Sequence, residues 1–445
     1  MGKGSEADQL SLGLTKDGNR LYEDVISRAT LEYAFYRVKA NRGKPGPDGV
    51  TIVEFERDLD ENLKALRAEL LVKKYLPGPM RRVSIPKPDG GERHLSIPNV
   101  RDRIVQQAIA WELRPFFEPE FSESSFGYRE GRSQKDAIDV AKSYVAEGRE
   151  WVVDMDLEKF FDTVNHDRVI HLVREKVSDR RVLKLIALML RSGIEIDGKV
   201  EANRIGLPQG SPLSPLLSNI VLTPLDRELE RRGLGFVRYA DDVNLFVRSE
   251  KAANRVLESV SAFIEKKLKL KVNRTKSRTA KSDRVKFLGM TVLAGGIAVI
   301  SLGSMKKARE KIKELVPRSA QGSFEHQLAK VNRWYRGWSG YYSITEYPSQ
   351  LKTIEAHLRM RFRLQFIKNH KRKKHLVRKL KKRGIKGSKA YQSVYLGNKG
   401  RWRLAHTAAV NFAWNPAWFE LQGFEVRSRD ALEHWRPLSE YPRLL

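Results

Sequence analysis

The chain has 445 residues, a formal net charge of +30 and a sequence pI near 10.1, while 41% of its residues are hydrophobic. This length supports two or three domains with sizeable cores, and the basic field selects polyanionic partners. The absence of cysteine excludes disulfides, thiolate zinc sites and cysteine nucleophiles. No apolar run is long enough to span a bilayer, and residues 1–20 do not resemble a secretory signal.

Residues 1–20 read as a polar extension rich in Gly, Ser, Asp and Lys. Helical periodicity runs from Leu21 to Val38 and again from Phe55 to Leu71. Residues 76–99 predict a β-hairpin turning at Pro88-Asp89-Gly90-Gly91. Residues 101–150 read as mostly helical, with breaks near Pro115 and Gly127. Trp151-Val152-Val153-Asp154-Met155-Asp156 predicts a strand ending in acids, followed by the aromatic pair Phe160-Phe161. Asp154 and Asp156 share one strand face, so either could ligate a cation. Gly206-Leu207-Pro208-Gln209-Gly210-Ser211 is a Pro/Gly loop running into a helix, suited to close backbone approach by a base or sugar.

Period-two segments then flank Tyr239-Ala240-Asp241-Asp242 within residues 235–247, which predicts a hairpin with an acidic pair at its turn. Adjacent carboxylates repel unless a cation lies between them, and hard oxygen ligands of this kind suit Mg²⁺. Asp is also a common turn former, so this tetrapeptide alone proves nothing. Residues 304–365 read as helical and basic. From Lys368 to Lys389 there are twelve Lys/Arg and no acid, and after residue 300 the only aspartate is Asp430. Such a run repels itself unless a polyanion is bound. The C-terminal third therefore lacks the acidic cluster that a metal-dependent nuclease needs, which places the chemistry before residue 300.

A strand acid, a Pro-Gln-Gly loop and a Tyr-x-Asp-Asp hairpin, in that order, resemble the palm of a reverse transcriptase. Asn41 to Val50, Arg81 to Gly91, Asp102 to Ala108 and Ser125 to Ser133 narrow the resemblance to group II intron-encoded reverse transcriptases and maturases. Retroviral enzymes lack these blocks in this form. The stretch Asp154 to His166 is most similar to the compact, class C-like bacterial members without an endonuclease domain.

The resemblance implies an α+β right-hand fold: fingers and an antiparallel-sheet palm, then an α-helical thumb (domain X) and a basic C-terminal region. The implied division is 1–20 extension, 21–150 fingers with an N-terminal helical region, 151–298 palm, 299–365 thumb and 366–445 nucleic-acid-binding region. It implies RNA-directed DNA polymerisation together with maturase binding of an intron RNA for splicing and retrohoming. A domesticated relative serving repair or defence, or a splicing-only maturase, are the alternatives. By resemblance the catalytic acids are Asp156, Asp241 and Asp242, which with Leu157 hold two Mg²⁺ ions, Mn²⁺ being a substitute. Asp154 is then a supporting acid.

The same resemblance assigns Lys87, Arg93, Phe161, Gln209 and Lys276 to the dNTP, with Phe161 as the steric gate against a 2′-hydroxyl. Phe160 is read as core, and His166 as structural. Pro208, Gly210, Tyr239, Arg333 and Arg336 are assigned to template, primer or RNA. So are Lys371, Arg372, Lys373, Lys374, Arg378, Lys379, Lys381, Lys382 and Arg383. The implied partners are intron RNA, an RNA template with a DNA primer, target DNA and dNTPs. No membrane is involved, and a monomer in the bacterial cytoplasm, associated with nucleoid or ribonucleoprotein, is expected.

Overall fold

The computed structural model describes residues 20–86, 90–319, 322–370, 372–396 and 400–429. Lys87 and Lys371, the residues before 20 and those from Asp430 onward lie outside the described residues. The chain forms two compact units, residues 1–137 with 151–279 and residues 138–150 with 280–445.

The first unit opens with α1 (Leu21–Val25), α2 (Arg28–Ala40), α3 (Ile52–Arg57) and α4 (Leu59–Leu71). Ser27 accepts a hydrogen bond from the Thr30 N–H and so starts α2, splitting the periodic stretch 21–38 into two helices. Thr51 and Glu54 form a reciprocal capping box at the start of α3. β1 (Met80–Pro86) and β2 (Glu92–Ile97) form the expected antiparallel hairpin.

α5 (Val100–Phe117) runs straight through Pro115, contrary to the break expected there. The proline falls in the last turn, where it removes one hydrogen bond just before the helix ends. At the other end of α5, Asn99 and Arg103 seat the loop at residues 43–48. Arg103 Nη2 donates to the Lys44 carbonyl at 2.9 Å, and a Cβ on Gly46 would lie 2.3 Å from Asn99 Oδ1.

After α6 (Gln134–Ala146) come β3 (Trp151–Met155), α7 (Phe160–Thr163), α8 (His166–Arg174) and α9 (Arg180–Arg191). The short strands β4 (Ile194–Ile196) and β5 (Lys199–Glu201) extend the fingers sheet to the order β2-β1-β4-β5. α10 (Ser214–Arg231) leads into β6 (Gly235–Tyr239), β7 (Asp242–Val247), α11 (Glu250–Phe263) and β8 (Arg278–Lys281). The palm sheet has the order β6-β7-β3-β8, with β7 antiparallel to both β6 and β3. Val153, Met155, Phe236 and Leu245 bury one core with Leu217, Val221 and Leu225 of α10.

One residue breaks the apolar pattern of β6. Arg238 is fully buried, and its Nε and Nη2 donate to the Asp226 carboxylate of α10 at 2.7 and 2.5 Å. Burial pushes the Asp226 carboxyl up, and the Arg238 guanidinium opposes it.

The second unit is mostly helical. It contains β9 (Met290–Leu293) paired antiparallel with β10 (Ile297–Ile300), then α12 (Leu302–Leu315), α13 (Phe324–Tyr342) and α14 (Pro348–Asn369). Five shorter helices follow: α15 (Lys373–Lys382), α16 (Gly387–Tyr395), α17 (Arg401–Ala405), α18 (Ala408–Ala413) and α19 (Pro416–Leu421). Part of the aromatic content of residues 324–424 is core: Phe324, Phe362, Phe366 and Phe419 form one cluster, and buried Tyr335 donates to Glu355 at 2.8 Å. No helix among the described residues is long and apolar enough to cross a membrane.

Asp226→Asn leaves the Arg238 charge buried without its counter-ion, and is expected to cost about 3–5 kcal/mol of stability. Denaturant unfolding checks this. The double variant Asp226→Leu with Arg238→Leu removes both charges and should recover part of that loss.

Candidate active site

Tyr239 and Asp242 pair in register across β6 and β7, which puts Ala240 and Asp241 at the hairpin tip. Ala240 adopts φ 58°, a left-handed conformation that an L-residue holds only when its surroundings enforce it. The Ala240 carbonyl accepts from Arg238 Nη1 at 3.0 Å. Gly127 presses against the other side of the turn: a Cβ there would lie 2.3 Å from the Ala240 nitrogen. Asn219 of α10 joins the two supports, accepting from Arg238 Nη1 at 2.9 Å and donating to the Gly127 carbonyl at 2.9 Å.

Asp156 lies one residue beyond the end of β3. Its N–H donates to Ser277 Oγ at 3.0 Å, and its carbonyl accepts from the Asn273 N–H at 2.9 Å. Leu157, the expected carbonyl ligand, is buried and bridges Val272. The backbone of Asp156 is thus fixed on both sides, and the Asp156 and Asp241 carboxylates interact. Burial, and then the Asp156 charge, pushes the Asp241 carboxyl above its ordinary range, with Arg93 pulling it back. Asp154 is half-buried, as Asp156 is, and lies 3.8 Å from Arg278. Asp242 is exposed.

Among the described residues no three acidic or histidine side chains form a ready-made metal cage. The donor set still fits a hard cation. Two carboxylates repel, one of them is largely desolvated, and a third stands beside it on the same turn. Mg²⁺ takes few protein ligands and completes its shell with water and substrate phosphates.

Of the residues expected at the nucleotide, Phe161 and Gln209 are held by backbone bonds to neighbouring loops and strands. Phe161 is half-buried, edge-on to Phe160 at 5.3 Å and to Tyr128 at 6.5 Å between ring centroids. The Phe161 carbonyl accepts from the Leu207 N–H at 2.6 Å, and Gly206, at φ 97°, packs against the Phe161 carbonyl. His166 is buried and bonds the Gly206 carbonyl through Nε2 at 2.8 Å. Pro208 is buried and its carbonyl accepts from Ser214 Oγ at 2.8 Å. The Gln209 carbonyl accepts from the Ser96 N–H of β2 at 2.7 Å, and a Cβ on Gly210 would meet the Ser96 carbonyl at 2.8 Å. Arg93 is exposed on β2, and Lys276 is exposed on the turn after Asn273.

Tyr128 received no role from the sequence. Partial burial, and then the Asp241 charge, raises its phenol. The only sequence signal was its place in the Ser125 to Ser133 block.

In the second unit, Arg333 is exposed on α13. Arg372, Lys373, Lys374, Arg378, Lys379, Lys381 and Lys382 are exposed on and beside α15, which buries Leu376 and Leu380. Two assigned cations are engaged elsewhere. Arg336 forms a two-pronged pair with Glu425, and Arg383 stacks on Trp418 at 4.4 Å and Trp414 at 5.2 Å while donating to the Ala413 carbonyl. Each thus already has a protein partner, Arg336 with its side chain still 64% exposed and Arg383 with its Nε unbonded.

A palm sheet bearing a carboxylate pair on a locked hairpin, followed by a helical basic unit, defines a nucleic-acid polymerase of the reverse transcriptase class. Residues 85–292 match the reverse transcriptase (RNA-dependent DNA polymerase) family, and residues 305–384 match the group II intron maturase-specific domain. The chain belongs to the group II intron reverse transcriptase and maturase family. It is 34% identical to protein YkfC of Escherichia coli (strain K12) over 309 residues, 60% of this chain and 81% of that protein. It is 35% identical to the putative COX1/OXI3 intron 1 protein of Saccharomyces cerevisiae over 56% of this chain and 29% of that protein. The group II intron-encoded protein LtrA of Lactococcus lactis is 31% identical over 47% of this chain and 35% of its own length. The chain thus spans about a third of the two intron-encoded relatives.

Gly127→Ala is expected to displace the Ala240 turn and abolish primer extension, because the new methyl meets backbone that cannot step aside. Extension assays beside a far-ultraviolet spectrum check it, with the fold retained.

Proposed function

We propose that the chain extends a DNA primer on an RNA template at Asp156, Asp241 and Asp242, and that its second unit binds the intron RNA whose splicing and retrohoming it assists. The observation that carries the first half is the geometry of the hairpin tip, which places Asp241 and Asp242 on a turn held by Arg238 and packed against Gly127. The three aspartates and the Leu157 carbonyl would hold two Mg²⁺ ions, or Mn²⁺ in their place, which would supply activation of the primer 3′-hydroxyl and neutralisation of charge on the triphosphate.

The protein's own groups do the positioning. Arg93, with Lys87, meets the triphosphate. Phe161 lies beneath the sugar, and the Tyr128 ring against it keeps Phe161 from rotating away. The loop at Pro208, Gln209 and Gly210 presents backbone to the nascent pair, with Tyr239 beside the primer end, and Lys276 stands where pyrophosphate leaves. Much of such catalysis is geometry and charge placement fixed before the substrate arrives. The exposed cations of α15 and Arg333 supply the salt-sensitive RNA contact. A location with the nucleoid or a ribonucleoprotein particle follows from those partners.

Asp242→Asn should abolish primer extension with dNTPs while leaving RNA affinity near that of the unaltered chain; equal loss of both would sink the division of labour. Phe161→Ala should admit ribonucleotides into the product, and alkali cleavage of the extended strand reads this directly.

A further inference from the structure

The second unit contains a cavity of about 480 Å³ that the polymerase reading leaves unused. Its walls come from α12, α14 and α17 and the segment after α12. Arg318, His357, Arg361, Lys368, Arg401 and Trp402 line it, with Lys313 and Leu364 completing the wall. No acid is among the lining residues, so five formal positive charges converge on one concavity without a counter-ion in its walls. That volume falls in the range of small-ligand sites, roughly 300–1,000 Å³.

The cations are not merely loose surface chains. Arg361 is buried and its guanidinium is aimed by two bonds to the Val316 carbonyl, at 2.9 Å from Nε and 2.6 Å from Nη2. Lys368 is held on Ser319. His357 Nε2 is buried and has no hydrogen-bond partner among the described residues. Burial, and then the charges of Arg361, Arg309 and Lys313, holds the His357 imidazole below its ordinary value. The ring is therefore neutral at pH 7, which spares the cavity a sixth charge. Trp402 is the one aromatic of the wall and is 51% exposed, a large apolar face left open to solvent. An indole beside clustered guanidinium and ammonium groups matches a single nucleotide, with its base on the ring and its phosphate among the cations.

We propose that this cavity binds one unstacked nucleotide, stacking the base on Trp402 and holding the phosphate between Arg361, Lys368 and Arg401. It deepens the RNA-binding reading of the second unit, and rests on it where the nucleotide belongs to a bound RNA strand. A double helix delivers a base into a cavity only by unstacking and unpairing it, which costs about a few kcal/mol. The site therefore selects a bulge, a loop or a free nucleotide over a duplex.

The test uses the full chain and short oligouridylate carrying 4-thiouridine. Irradiation followed by peptide mapping should place a crosslink at Trp402 or its immediate neighbours. Trp402→Ala should weaken oligouridylate binding by about 5- to 150-fold, the worth of one stacked base. Arg401→Gln should flatten the salt dependence by about 0.7 in log–log slope, the share of one phosphate on a single strand. Competition separates the two sources: displacement by equimolar UMP marks a free nucleotide, and resistance to UMP marks a nucleotide within RNA. Unchanged affinity in both variants, or crosslinks confined to α15, would overturn the proposal. Primer extension by the unaltered chain, measured alongside, tests the polymerase reading independently.

Discussion

The buried pairing of Arg238 with Asp226 is the constraint on which the first unit depends. A guanidinium without access to water is tolerable only when its donors meet acceptors and its charge is balanced. Arg238 meets that demand with Asp226, Asn219 and the Ala240 carbonyl together. Its backbone is also engaged: its N–H donates to Ser124 at 2.8 Å, and its carbonyl accepts from Phe126 at 2.9 Å. One residue therefore commits a palm strand, the long helix behind it and the loop leading to Gly127 to a single arrangement. That arrangement aims Asp241.

The site shows the same economy elsewhere. Its carboxylates repel in the absence of a cation, and the segments that carry them are held by backbone contacts together with buried or short side chains. Asp156 is fixed through Ser277 and Asn273, and Phe161 through Leu207. The ties at Asn273 and Leu207 run from main chain to main chain, while those at Ser277 and Ala240 end on the Ser277 hydroxyl and the Arg238 guanidinium.

Much of this was legible in the sequence, for a physical reason in each case. Period-two patterning around Asp241 and Asp242 marks two strands, and the polar break marks their turn. Pro, Gln and Gly before an apolar helix mark a loop that needs close approach, and Gly206 and Gly210 do adopt positive φ. The order of these motifs named the family. Other features were not legible because they are long-range. Asn219 and Gly127 meet across 92 positions, and nothing local in either stretch announces the other. A charged residue within apolar β6 was a usable signal for the buried pair, since such a residue demands a partner. At Arg336 and Arg383 a count of cations does not reveal the protein partners, Glu425 for the first and Trp414 and Trp418 for the second. At Pro115 the local rule was sound, but the helix ended before it mattered.

Ser96 sits at the root of the β1–β2 hairpin, where its N–H and carbonyl clamp the segment at Gln209 and Gly210. The hairpin is thus a cantilever: fixed at Ser96, and carrying Arg93 further out opposite Ile85. Deflection of such a beam grows with distance from its support and vanishes at the support itself. Motion that brings Arg93 toward or away from an incoming charge leaves Gln209 where it was. The positions of Arg93 and of Gln209 are therefore mechanically separable, although a single hairpin carries the first and holds the second.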